Sequence, residues 1–226
     1  MLPLSEIYTN SIISENEALK RILSPQTSPV QYESDIGMLW YYNEHQALGS
    51  LFLNKDIREC KQCFYRCGRI DEYEIKQYNS RVLDSGVIHI TFAILSDDLS
   101  LIDRYANLTH PWFSHTIKKG SLVHAMQNII KEDWDSLRGD IFVYEQIITT
   151  QKGKINIPDL MFFKGMLTSN KEMVTEAIKM LLKDHKKRNK HMGIAQDYIS
   201  IPALGYTKLA WLKGMEIEID HPLIPK

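Results

Sequence analysis

Apolar side chains recur along most of this chain at steps of three, four and seven, the spacing that gathers them on one face of an α-helix. Ile12, Ile13, Leu19, Ile22 and Leu23 predict a first helix of about 20 residues. The connector Ser24-Pro25-Gln26-Thr27-Ser28-Pro29 stops it. From Ser34 or Asp35, either of them a good N-cap, Ile36, Leu39, Trp40, Ala47, Leu48 and Leu51 predict the next helix. Another follows Asn54-Lys55-Asp56 on the stripe Ile57, Cys60, Phe64, Cys67 and Ile75, and a further one runs from about Asn79 through Val82, Leu83, Val87, Ile90 and Ile94. Within it Val87-Ile88-His89-Ile90-Thr91-Phe92 is β-rich enough to be read as a strand, but helical neighbours and the lack of a hairpin turn favour helix. Residues 30 to 110 contain no proline, which suits long helices.

Beyond Pro111 the pattern sharpens. Ser121 caps a helix with Leu122, Ala125, Met126, Ile129 and Ile130 on one face, and Asp133 or Trp134 opens another carrying Leu137, Ile141, Tyr144 and Ile148. After a loop from Gly153 to Pro158, Leu160 to Leu167 predicts a short helix; Ser169-Asn170 turns it, and Met173, Ala177, Met180 and Leu181 drive a longer one. The turns around Asp97, Asp133 and Asn170 overlay at intervals of 36 and 37 residues. A period in the thirties fits stacked αα-hairpins, each burying a face against its neighbours. The fold class expected is therefore all-α: stacked antiparallel helical hairpins, loosely tetratricopeptide-like, with a short extended C-terminal tail. The expected organisation is a single domain over 1–226, with hairpins 112–226 packed on N-terminal helices 1–110.

The last segment carries the clearest punctuation. Ser200 and Pro202 start a helix, Lys208 and Lys213 favour the negative end of its dipole, and Gly214 supplies a left-handed stop. Met215-Glu216-Ile217-Glu218-Ile219 then alternates with period two, as a lone extended tail or a short edge strand does.

Charge and composition narrow the function. Lys and Arg number 27 against 28 Asp and Glu, a formal charge of -1, so no global positive field exists to hold nucleic acid. No stretch approaches about 18 uncharged apolar residues, and the N-terminus lacks the basic and apolar regions of a signal peptide. The expectation is a cytoplasmic protein without a membrane span. Its three cysteines, Cys60, Cys63 and Cys67, are odd in number and share one helical face, which reads as core packing; a zinc site would need a fourth ligand.

Signs of catalysis are sparse. The eight histidines form no HExxH or HxH pattern, and GxGxxG, GxxxxGK[ST] and GxSxG do not occur. His110 and His115, bracketing Pro111-Trp112-Phe113, read as structural or solvated loop histidines. The basic run Lys183 to His191 reads as a solvated helix end. No catalytic residue, cofactor or metal is expected.

Binding surfaces remain. Trp40-Tyr41-Tyr42, and Glu132-Asp133-Trp134-Asp135 with Asp140 and Glu145, combine aromatic rings with carboxylates. The plain reading is core rings and helix-start charges; the functional one is an acidic hairpin face that steers a basic partner into contact. On that reading the contact residues are Glu132, Asp133, Trp134 and Asp135, then Asp97, Asp98 and Tyr41.

The C-terminal third resembles a known family. Phe162-Phe163-Lys164-Gly165-Met166-Leu167, the helix from Ala177 to His185, and above all Lys208-Leu209-Ala210-Trp211-Leu212-Lys213-Gly214 before an alternating acidic segment and a Pro-rich end resemble the immunity protein 49 family of bacterial polymorphic toxin systems. The resemblance covers roughly residues 160 to 226. It implies an all-α protein that binds and neutralises a cognate toxin, with no catalytic residues, and it makes Leu204, Leu209, Ala210, Trp211 and Gly214 determinants of the fold. Two other readings stand beside it: a helical-repeat adaptor that binds a peptide or protein partner, and an enzyme built on the cysteine cluster.

Overall fold

Side-chain oxygens at helix starts and left-handed residues at helix ends divide this chain. The computed structural model describes residues 2–111, 113, 121–188 and 194–225. The long helices come first: α1 (Leu4–Ile22), α2 (Pro29–Gly49), which runs on through a π-helical turn at Ser50–Asn54, and α3 (Ile57–Tyr78). Then follow α4 (Ile88–Leu95), α5 (Leu99–Ala106), α6 (Leu122–Lys131), α7 (Trp134–Ile147), α8 (Ile157–Leu167) and α9 (Lys171–Lys183). Single turns α10 (His185–Arg188) and α11 (Ala195–Tyr198) lead to α12 (Ile201–Leu212). Among the described residues there is no strand, only an isolated bridge between His221 and Ile224. The fold is all-α.

Each helix start leaves backbone N–H groups without intrahelical partners, and short polar side chains take them up. Ser28, Asp56, Asp98, Ser121, Asp133 and Asn170 each accept a backbone N–H two or three residues on. Four of these caps follow a residue forced into the left-handed region: Lys55 (φ 57°), Asp97 (57°), Glu132 (60°) and Ser169 (51°). The recurring unit is thus a left-handed residue followed at once by an N-cap. Asp97 corresponds to Glu132 rather than to Asp133, one position off the overlay expected from sequence, and Lys55-Asp56 is a further member that the overlay missed.

Consecutive helices from α1 to α9 pack on one another, and α12 lies across α4 and α9. A continuous apolar cluster runs through the stack, with Phe162 and Tyr206 stacked at 4.1 Å and the Phe92 ring in contact with both Trp40 and Phe64. The approach of α12 to α4 is close: a Cβ on Gly205 would lie 2.3 Å from Oγ1 of Thr91, itself fully buried. Gly205→Ala is expected to cost about 2 kcal/mol by overpacking, measurable as a lowered urea midpoint with unchanged slope.

Several sequence expectations need correction. In α1 the stripe Ile12, Ile13, Leu19 and Leu23 faces outward, and the face on α2 is Leu4, Ile7, Ser11 and Ala18. Polar contacts from Asn43 and Gln46 to Glu15, and from Asp35 to Arg21, help to fix which face turns inward. Helix α2 begins at Pro29 under the Ser28 cap, not at Ser34 or Asp35, because Pro29 is pre-set for the first helical position. Asp35 instead lies buried against the Arg21 guanidinium, which holds its carboxyl below the usual range. The helix predicted from Asn79 is broken: Asn79 is left-handed, a 3₁₀ turn spans Val82–Asp84, and Gly86 (φ 76°) precedes α4. Helix α8 begins at Ile157, three residues before Leu160, with Pro158 in its first turn. The segment Met215–Ile219 forms neither helix nor strand.

Candidate functional site

A groove of about 700 Å³ opens between the start of α3, the turn after α4, helix α12 and the C-terminal tail. Its floor is apolar, built from Leu51, Phe64, Leu204, Ile217 and Ile224, with Ile57 at the lip. Ile217 seats its side chain in the core, while the Trp211 indole N–H donates to the Ile217 carbonyl at 2.8 Å. That bond, and one at 2.9 Å from the Ser200 N–H to the Leu223 carbonyl, hold the tail as a wall of the groove. Trp211, expected as a fold determinant, is 45% exposed and works through its N–H rather than through burial. Trp211→Phe is expected to cost about 1 kcal/mol and to raise amide exchange along residues 215–220, read by exchange mass spectrometry.

The rim is charged. Asp97, on the turn between α4 and α5, accepts from Lys61 Nζ at 2.5 Å and from Lys208 Nζ. Burial works to raise its pKa, but the two ammonium groups outweigh burial and hold the carboxyl below the ordinary range. Lys208 therefore spends its charge on Asp97, and Lys213 spends its own on Glu132 at 2.9 Å and the Ile130 carbonyl at 2.8 Å. Neither serves simply as a dipole-end cation. Glu218 and Asp220 line the groove from the tail side.

The remaining sequence-predicted contact residues do not gather in one place. Asp98 caps α5. Glu132, Asp133, Trp134 and Asp135 share the turn between α6 and α7, where Asp133 caps α7, Trp134 leans on the core and Asp135, almost wholly exposed, pairs with Arg138. Lys213 draws the Glu132 pKa down, and hydrogen bonds from Ser136 do the same for Asp133. Tyr41 is half exposed on α2, edge-on to Trp40 at 5.3 Å. The expected acidic neighbours are elsewhere: Asp140 is fully buried, and Glu145 pairs with Lys164 at 2.6 Å.

Three buried carboxylates form networks; the sequence singles out only Asp140 among them, and there as part of an acidic surface rather than as a core residue. Asp71 accepts from His89 Nδ1 at 2.9 Å and from the Tyr105 hydroxyl. Asp140 accepts from His124 Nδ1 at 2.9 Å and Asn128 Nδ2 at 2.8 Å. Asp159 accepts from Arg188 Nη2 and the Tyr206 hydroxyl, both at 2.8 Å. Each ties together different helices, and none lines the groove. A signal was available: Asp71, Asp140 and Asp159 stand three or four positions from Cys67, Leu137 and Phe162 or Phe163, on the core faces of their helices. Arg188 and His185, read as part of a solvated basic run, turn inward to Asp159 and to the Gln196 carbonyl. Trp112, His115 and residues 189–191 lie outside the described residues. His110 is buried beside Phe113.

The cysteines are core residues, each at most 1% exposed. Burial pushes the Cys60 thiol up to about 12 and the Cys63 and Cys67 thiols well above the usual range, so all three stay protonated and unreactive at neutral pH. In the folded chain their reaction with a thiol reagent is expected to proceed only as fast as opening; prompt labelling would contradict the packing. Among the described residues no group of three or more His, Cys, Asp and Glu is arranged to hold a metal ion. No helix of the described residues is long and apolar enough to cross a membrane.

Residues 125–226 match the family model described as immunity protein 49. The match supports the resemblance carried by the C-terminal helices and starts earlier in the chain, within α6. No curated protein and no solved structure matches the chain.

Proposed function

From the immunity protein 49 match over residues 125–226, we propose that this chain binds a cognate bacterial toxin and neutralises it by covering its working surface. The match names an immunity protein; binding, neutralisation and a cytoplasmic site of action are the proposal. The single structural observation that supports binding over catalysis is the distribution of chemistry. Thiols and most buried carboxylates are committed to packing and inter-helix hydrogen bonds, whereas the large concavity offers apolar surface inside a charged rim. Such a surface recognises shape and charge in another macromolecule.

Two faces compete for the contact. The turn at Glu132 to Asp135 presents carboxylates, but Lys213 and Arg138 compensate two of them locally. The groove retains uncovered apolar surface, so it is the stronger choice. Co-purification of the chain with the product of its neighbouring gene, with rescue of cells expressing that product, tests the function. The double variant Asp133→Lys, Asp135→Lys tests the face: affinity within about threefold of the parent assigns contact away from the turn, and a loss of tenfold or more returns it there. Failure of the parent chain both to co-purify and to rescue would sink the immunity reading and leave the adaptor reading.

A further inference from the structure

The tail beside the groove alternates apolar and acidic side chains, and Trp211 Nε1 occupies one of its backbone carbonyls, that of Ile217. Residues 215–220 belong to no helix, and their burial alternates with period two, as along an extended segment: Ile217 is buried, Met215 and Ile219 are half-buried, and Glu216, Glu218 and Asp220 are exposed. Among the described residues no strand lies alongside. A backbone edge so placed pairs with an added extended segment, whose main chain supplies hydrogen bonds and whose alternate side chains supply specificity. The groove adjoins this segment, and Ile217 and Ile219 contribute to its apolar lining. The outward side chains of the edge are all acidic. Opposite-charge pairs across two strands are favourable and like-charge pairs are not.

We propose that the groove receives an extended segment of the partner polypeptide, added edge to edge to residues 216–220, in which apolar side chains alternate with lysine or arginine. The apolar set rests on Ile57, Phe64 and Leu204; the basic set faces Glu216 and Glu218. Lys61, Asp97 and Lys208, joined by their ion pairs, line the groove as well. That the partner is a toxin rests on the function proposed above, whereas the chemistry of the segment rests on the groove alone.

The test uses the full chain and a fluorescein-labelled octapeptide alternating valine and lysine, with its valine-glutamate counterpart and a version N-methylated at alternate amides as controls. Fluorescence polarisation is expected to show the valine-lysine peptide binding at least tenfold more tightly than either control. Glu216→Lys with Glu218→Lys is expected to weaken it at least tenfold, and Ile57→Asp to do likewise. These three positions are at the surface, and an unchanged thermal midpoint verifies the fold of each variant. No binding of the valine-lysine peptide, equal binding of the controls, or indifference to both sets of variants overturns the proposal. Capture of the neighbouring gene's product separates the two ideas. If the product fails to bind but the peptide binds, the toxin reading falls and the groove stands; if the product binds the parent and both variants alike, the groove falls and the toxin reading stands.

Discussion

Replacing Asp159 by alanine is expected to destabilise the chain by about 3–5 kcal/mol, the range for removing one member of a buried ion pair. The Arg188 side chain is only 11% exposed and would keep a carbonyl contact, to Ile155, in place of a carboxylate. The Tyr206 hydroxyl, fully buried, would lose its acceptor at the same time. Since whole domains are stable by only about 5–15 kcal/mol, much of the folded population would be at risk. The reverse deletion, Arg188→Met, is expected to be milder. Burial already raises the Asp159 pKa against the pull of Arg188, so an abandoned carboxyl can take up a proton and become neutral, whereas an abandoned guanidinium cannot release one. Urea unfolding of both variants checks the asymmetry; a cost below about 1 kcal/mol for Asp159→Ala would show that the network does not hold α8, α10 and α12 together.

Stability is expected to fall as pH rises from about 4.5 to about 7, with Glu44 a principal source beside Glu74 and Asp159, whose carboxyls burial also pushes up. Burial pushes the Glu44 carboxyl from the ordinary 4.5 up to about 7, with His89 pulling weakly the other way. Between those values the folded chain retains a proton that the unfolded chain has released. The contribution is therefore fully present below the unfolded pKa and is lost as pH passes the folded one, by about 3 kcal/mol across the interval. Glu44→Gln, which copies the protonated form, is expected to flatten this slope and to stabilise the protein at pH 8. Asp35 acts in a separate window with the opposite sign: its pKa is depressed by Arg21, so its contribution is present at neutral pH and is lost on acidification. Urea midpoints of parent and Glu44→Gln from pH 4 to 8 measure the difference, and parallel curves would refute the assignment.

The parts of the fold legible in the sequence were those fixed by local chemistry. Asp56, Ser121, Asp133, Asn170 and Gly214 mark helix ends through their own side chains or backbone freedom, and the structure uses them there. The cysteine stripe lay on a core face as read. What failed needed information from distant segments. Which face of α1 turns inward depends on α2, and Arg21 and Glu15 matter there as much as apolar periodicity does. Lys208 and Lys213 were read from their own helix, yet their partners Asp97 and Glu132 lie far away in sequence. The same holds for the groove. Of the residues expected at a contact surface, Asp97 lines it, while its floor draws on the end of α2, α3, α12 and the tail, a juxtaposition that no local pattern encodes.

An open pile of helices unravels from either end, because each layer rests only on the one beside it. Here Gly205 of α12 sits on Thr91 of α4, and the same helix leans on α9, so early and late parts of the chain share a fate. Fraying that starts at α9 must loosen α4 as well, and hydrogen exchange in these three helices should report one common opening energy rather than a gradient along the stack.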